Sequence, residues 1–143
     1  MIAENPEPEL SDLADLGYYY NAHGNLASIN RGNGQNSIEY TLDYDRFCKL
    51  SSVGITGYGS LVDITYNDSG RLKKITYPRD GQVTYVYNRY GQVLSEIWTK
   101  NNVVTDKYRY VYDTFGNVIR YIDLIQKLEY TYSYTRGSME RTV

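Results

Sequence analysis

An all-β fold, an antiparallel meander of tandem hairpins, is what this sequence predicts, and three observations predict it. Tyrosine dominates the aromatic residues, with 18 Tyr against two Phe and one Trp in 143 residues. Apolar and polar residues alternate with a period of two in several segments. A short string beginning with tyrosine recurs five times at near-constant spacing.

Tyrosine suits a pleated, half-buried surface, because its ring packs while its hydroxyl reaches water or a partner. The alternation shows where such surfaces lie. Ile38, Tyr40, Leu42 and Tyr44 share one face, while Glu39, Thr41 and Asp43 share the other. Tyr108, Tyr110 and Tyr112 oppose Lys107, Arg109 and Val111. Leu128, Tyr130, Tyr132 and Tyr134 oppose Lys127, Glu129, Thr131 and Ser133. Each is a strand with one packed face.

The recurring string is tyrosine, Asn or Asp, two variable residues, Gly, one variable residue, then Leu or Val. It reads Tyr20-Asn21-Ala22-His23-Gly24-Asn25-Leu26, Tyr44-Asp45-Arg46-Phe47-Cys48-Lys49-Leu50 and Tyr66-Asn67-Asp68-Ser69-Gly70-Arg71-Leu72. Tyr87-Asn88-Arg89-Tyr90-Gly91-Gln92-Val93 and Tyr112-Asp113-Thr114-Phe115-Gly116-Asn117-Val118 complete the set. The first tyrosines, Tyr20, Tyr44, Tyr66, Tyr87 and Tyr112, lie 24, 22, 21 and 25 residues apart. These five are the expected structural tyrosines.

Turn chemistry gives each string its shape. The side chains of Asn21, Asp45, Asn67, Asn88 and Asp113 can accept bonds from backbone just ahead of them, and Gly24, Gly70, Gly91 and Gly116 can take a positive φ without strain. A type I turn closed by a left-handed glycine connects two antiparallel strands. Pro78-Arg79-Asp80-Gly81 and Lys100-Asn101-Asn102 are turn signals that return the chain to the next string. The expectation is an open, curved sheet of about ten strands.

Two strings depart from the rule. Cys48 stands at the turn glycine of the second, so that turn is either strained or of another type. After the fourth turn no apolar residue occupies the place held by Ile29, Val53 and Ile75, and a bulge in that strand would account for the displacement. Residues 1–16 are an acidic leader with Pro6 and Pro8, either a short helix or a loose arm. Residues 17–143 carry the repeats, and a degenerate sixth copy begins near Tyr132 with Gly137 one place late.

A net charge of -2 argues against nucleic-acid binding, and Arg71, Lys73 and Lys74 form a solvated cluster. No run of about 18 apolar residues exists to span a membrane as a helix. One cysteine excludes an internal disulfide and a multi-cysteine metal site. His23, the only histidine, lies in a turn, and no nucleophile–base set can be assembled around it. Asp63, Asp68, Asp80, Asp106, Asp113 and Asp123 lack calcium-loop spacing. Gly32-Asn33-Gly34 is a connector, and Asn67-Asp68-Ser69 matches a glycosylation acceptor in a place where the repeat itself needs Asn. No enzyme activity and no cofactor are expected.

The strings at Tyr66–Leu72 and Tyr112–Val118 resemble the YD or RHS repeat of large bacterial surface and toxin proteins, over roughly residues 17–136. The resemblance implies a long β-sheet that spirals into a hollow shell. That shell encloses a toxic segment in toxin complexes and serves adhesion in teneurins. It also implies a secreted or cell-surface location. About ten strands spaced roughly 4.8 Å apart make some 48 Å of sheet, whose closure would leave a bore of about 15 Å that side chains fill. The chain is therefore expected to be a length of shell wall, or a small orphan member, and no container. Expected partners are further chains at the sheet edges or faces, the rest of a larger RHS polypeptide, or carbohydrate stacked on exposed rings. Tyr58, Tyr90 and Trp98 are the aromatic candidates for such a ligand; Trp98 is read first as a packing anchor and otherwise as the most exposed aromatic. Tyr40, Tyr66, Tyr87, Tyr110 and Tyr132 are expected on the packed face instead.

Overall fold

The computed structural model describes residues 15–32, 34–135 and 138–143; the acidic leader up to residue 14 and Gly137 lie outside the described residues. Twelve strands follow one another. β1 is Leu16–Tyr20, β2 Leu26–Arg31, β3 Ile38–Tyr44, β4 Leu50–Ile55, β5 Gly59–Tyr66 and β6 Leu72–Tyr77. β7 is Gly81–Tyr87, β8 Val93–Lys100, β9 Val103–Tyr112, β10 Val118–Asp123, β11 Leu128–Thr135 and β12 Ser138–Thr142. They form one open sheet in which each strand neighbours those before and after it in sequence. Such order is what hairpin after hairpin must give.

Each repeated string forms the turn of one hairpin. In all five, the Asn or Asp backbone N–H donates to the carbonyl four residues on, and the N–H of the glycine position donates back to the Asn or Asp carbonyl. The partner register slips by one residue beside the motif tyrosine, as between Tyr19 and Tyr20 or between Val86 and Tyr87. That slip is the bulge a left-handed turn residue produces. The left-handed φ is 81° at Gly24, 75° at Gly70, 82° at Gly91 and 87° at Gly116. Cys48 takes the same conformation, with φ 59°. Its turn is the common type held by a strained residue, which resolves the alternative left open by the sequence.

The return links are equally local. Asn101 and Asn102, with φ 50° and 62°, make a two-residue mirror-image turn between Lys100 and Val103. At the link from Tyr77 to Gly81, a Cβ on Gly81 would strike the Thr99 carbonyl, so no other residue fits. The link from Asp123 to Leu128 is tied by Asp123, whose Oδ1 accepts from the N–H groups of Ile125 and Gln126.

Twelve strands stand where about ten were expected, because β11 and β12 form a sixth hairpin. The fourth copy also differs from expectation. β8 pairs with β7 in the common register, Tyr87 opposite Val93 and Tyr85 opposite Glu96. Hence Glu96 occupies the slot that Ile29, Val53 and Ile75 fill elsewhere. The displaced apolar pattern comes from a carboxylate on the apolar face, and the irregularity within β8–β9 pairing lies farther on, at Trp98/Thr99.

The chain divides into two compact units, Met1–Leu61 and Val62–Val143. Val83 is the one fully buried apolar side chain among the described residues. The remaining apolar and aromatic residues of the packed face are mostly half-buried.

Candidate functional site

The repeat tyrosines do more than pack. In the first unit the Tyr44 hydroxyl donates to the Leu26 carbonyl at 2.7 Å. In the second, Tyr87 donates to Leu72, Tyr112 to Val93 at 2.7 Å and Tyr134 to Val118 at 2.6 Å. Each acceptor is the Leu or Val that closes the preceding string. Every such tyrosine therefore staples its own hairpin to the one before. Tyr134 marks the sixth copy by this bond, two residues beyond Tyr132.

Within each turn the Asx side chain holds two N–H groups. Asn21 Oδ1 accepts from His23 and Asn25, Asp45 from Phe47 and Lys49, and Asn67 from Ser69 and Arg71. Asn88 serves Tyr90 and Gln92, and Asp113 serves Phe115 and Asn117. These donors, with that of Asn117 foremost, hold the Asp113 carboxyl below the usual carboxylate range. His23 sits exposed in the first turn and lines a groove with Asp43, Asp45 and Cys48.

A second group of tyrosines in the second unit gathers round Glu96. The register places Tyr85, Glu96, Trp98, Asp106, Tyr108, Tyr110, Tyr121, Asp123 and Tyr130 on one face of β7–β11. The Tyr121 ring centre lies 5.3 Å from those of Tyr108 and Tyr110 and 5.7 Å from that of Tyr130. Tyr110 donates to Glu96 Oε2 at 3.2 Å and Tyr108 to Asp106 Oδ1 at 3.3 Å. Burial, then the Glu96 charge, pushes the Tyr110 hydroxyl far up. Burial and the neighbouring Tyr108, Asp123 and Glu96 push Tyr121 up to about 12. Tyr85 and Tyr108 move the same way, burial leading in both.

The three ligand candidates fall in different settings. Tyr58 is 54% exposed, in the link between β4 and β5, and Tyr90 is 70% exposed at the fourth turn. Trp98 is half-buried. Its ring lies parallel to Tyr77, centres 6.4 Å apart, and its Nε1–H donates to Glu96. The structure brings none of the three together. It does place Tyr90 across a groove from Phe115, which is 90% exposed at the fifth turn. That groove, about 710 Å³, is also lined by Gln92, Leu94, Arg109 and Asp113. Phe115 and Arg109 escaped sequence reasoning because they hold variable places in the repeat. Among the described residues no group of His, Cys, Asp and Glu could hold a metal ion, and no helix is long and apolar enough to cross a membrane.

Residues 66–97 match a family model described as RHS Repeat. The matched stretch runs from one motif tyrosine through the Tyr87 staple into β8. No curated protein matches the chain. Solved structures do. Crystal structures of TcdB2-TccC3-TEV and TcdB2-TccC3-Cdc42 each align with a TM-score of 0.72 at 22% identity, over 85% of this chain and 6% of theirs. The Tc holotoxin pore of Photorhabdus luminescens, carrying a TccC3 mutation, aligns at 0.69 and 22% identity over 83% of this chain and 6% of that one. The likeness is one of fold, and the chain spans a small part of those much longer polypeptides. The chain carries an RHS repeat, as its motif implied.

Proposed function

We propose that this chain is a non-enzymatic structural segment, a length of RHS-type sheet belonging to the wall of a larger secreted or cell-surface assembly. The carrying observation is the staple. Four tyrosine hydroxyls bond the backbone of the preceding hairpin, so each of these repeats is built to hold its neighbour. The match to an RHS repeat and the fold shared with the Tc toxin structures support the same reading. An open meander ends in strands with unpaired backbone groups, so the outer edge of β12 is offered to further repeats of a longer chain or to a second copy.

A second reading is a surface module that binds carbohydrate, favoured by the groove between Tyr90 and Phe115 with Gln92 and Arg109 on its walls. The two separate by experiment. Tyr90→Ala and Phe115→Ala, made together, leave folding intact and abolish binding on a glycan array if the second reading holds. The structural reading expects no array signal from the parent chain. It expects lost stability on changing any staple tyrosine, and association at raised concentration in sedimentation. A strictly monomeric chain that binds one glycan class through those two rings would overturn it.

A further inference from the structure

We propose that the tyrosine cluster on β9 and β10 is a modification site, at which one-electron oxidation joins Tyr121 to Tyr108 or Tyr110 through a carbon–carbon dityrosine bond. Phenols couple through the ring carbons beside the hydroxyl, so two rings must be held in contact before oxidation. Tyr121 meets this with two partners, each 5.3 Å away between centres; the Tyr108 plane is tilted by 21° and that of Tyr110 by 50°. All three are half-buried on strands, which fixes their approach.

Coupling also needs somewhere for the phenolic proton to go as the electron leaves. Tyr110 points its hydroxyl at the Glu96 carboxylate and Tyr108 at that of Asp106. Neither carboxylate is in a salt bridge among the described residues. The staple tyrosines Tyr44, Tyr87, Tyr112 and Tyr134 donate to backbone carbonyls, which are far too weak as bases to take the proton. The cluster therefore joins two features, ring contact and a neighbouring carboxylate, where the staples have only a carbonyl.

The step balances as follows. A one-electron oxidant, of the peroxidase or photochemical kind, takes an electron from Tyr110, whose proton passes to Glu96. A second equivalent takes an electron from Tyr121, whose proton leaves to solvent. The two ring carbons form one bond, and each ring then moves its displaced hydrogen to oxygen, restoring two phenols. The net change is loss of two electrons to the oxidant and two protons to the medium. With Tyr108 in place of Tyr110, Asp106 is the proton acceptor. The product is a covalent rivet between β9 and β10.

The test uses the full chain at high dilution, ruthenium tris-bipyridyl with persulfate, brief illumination and mass mapping after trypsin. Cleavage puts Tyr108, Tyr110, Tyr121 and Tyr130 on separate peptides, spanning 108–109, 110–120, 121–127 and 128–136. Peptide 121–127 is expected to be the main linked partner, joined to 108–109 or 110–120. Glu96→Gln should lower the link to 110–120 several-fold while keeping that to 108–109, and Asp106→Asn should do the reverse. Tyr121→Phe should remove both links with its circular dichroism unchanged. Links concentrated on exposed Tyr58 or Tyr90, or formed mainly between chains, would overturn the proposal on the parent chain alone. So would unchanged yields in both carboxamide variants.

Discussion

Removing one staple hydroxyl is the sharpest test of how this sheet is held. Tyr112→Phe keeps the ring and deletes only the bond to the Val93 carbonyl. A hydrogen bond of this kind contributes about 0.5–1.5 kcal/mol net, and an acceptor left without any partner costs about 1–3 kcal/mol. Tyr112 is half-buried, so water can replace part of what is lost, and about 1 kcal/mol is expected. For a domain of this size that is a fall of roughly 3–4 °C in Tm. The staples of successive hairpins, Tyr87, Tyr112 and Tyr134, sit roughly 10 Å apart, far enough for their effects to add. Changing Tyr44, Tyr87, Tyr112 and Tyr134 together should therefore cost about 4 kcal/mol, a large part of the 5–15 kcal/mol typical of a domain. Urea unfolding followed by circular dichroism measures each step. Tyr19→Phe is the control, on an exposed ring of the opposite face, and should stay within about 0.5 kcal/mol of the parent. If the four staple variants cannot be told from that control, the hydroxyls hold nothing and the reasoning fails.

Cys48→Gly should raise stability by about 0.5–1 kcal/mol, since relief of about 1–2 kcal/mol of left-handed strain outweighs the added backbone entropy; a higher urea midpoint would show it. Asn88→Ala should cost about 1 kcal/mol by freeing the N–H groups of Tyr90 and Gln92, and Asn88→Asp should restore it. Asp113 is held below its ordinary pKa, so its contribution is present above pH 3.8 and lost as pH falls through the folded value. Asp113→Asn should flatten that acid limb of the unfolding midpoint. Tyr85, Tyr108, Tyr110, Tyr112 and Tyr121 keep their protons more tightly when folded. Their contribution is thus complete below pH 10 and is lost as pH rises through each raised folded value, about 12 in the case of Tyr121. Tyrosinate absorbance should accordingly rise together with unfolding, and in Glu96→Gln it should begin at lower pH.

The hairpins were legible because their determinants are local. An Asn or Asp that caps two N–H groups, and a glycine free to turn left-handed, lie within five residues of each other, and nothing distant is needed to read them. The staples were not legible, because the acceptor of Tyr44 or Tyr112 is a carbonyl 18 or 19 residues back, fixed only by the register of the intervening strands. Glu96 left a signal, a missing apolar residue after the fourth turn. A bulge was the natural reading of it, since a charge on a tyrosine face is costly when unpartnered. The structure keeps Glu96 half-exposed and bonded to Trp98 and Tyr110, so the cost is largely removed and no bulge beyond the one common to the hairpins is required. Trp98 packs beside that same carboxylate, two residues away, and against Tyr77, which only the strand register brings near. The sixth hairpin was obscured because Gly137 keeps neither the spacing from Tyr132 nor that from Tyr134.

The choice of tyrosine over phenylalanine follows from how little this sheet buries. Were ring packing the sole requirement, phenylalanine would serve on the apolar face, and it would bury more favourably. Yet the two phenylalanines, Phe47 and Phe115, both stand at exposed turn tips, and the face is lined with tyrosine. Among the described residues, Val83 alone on that face escapes water entirely. A ring that stays half-solvated gains from a hydroxyl that can be satisfied, and the chain supplies two kinds of acceptor. Carbonyls of the preceding hairpin take the staple tyrosines, which fixes spacing. Carboxylates at Glu96 and Asp106 take Tyr110 and Tyr108, which leaves a base beside a ring. The first kind recurs from hairpin to hairpin and is architectural. The second occurs where a carboxylate breaks the apolar ladder, so the departure from the repeat, and not the repeat, is where chemistry can arise.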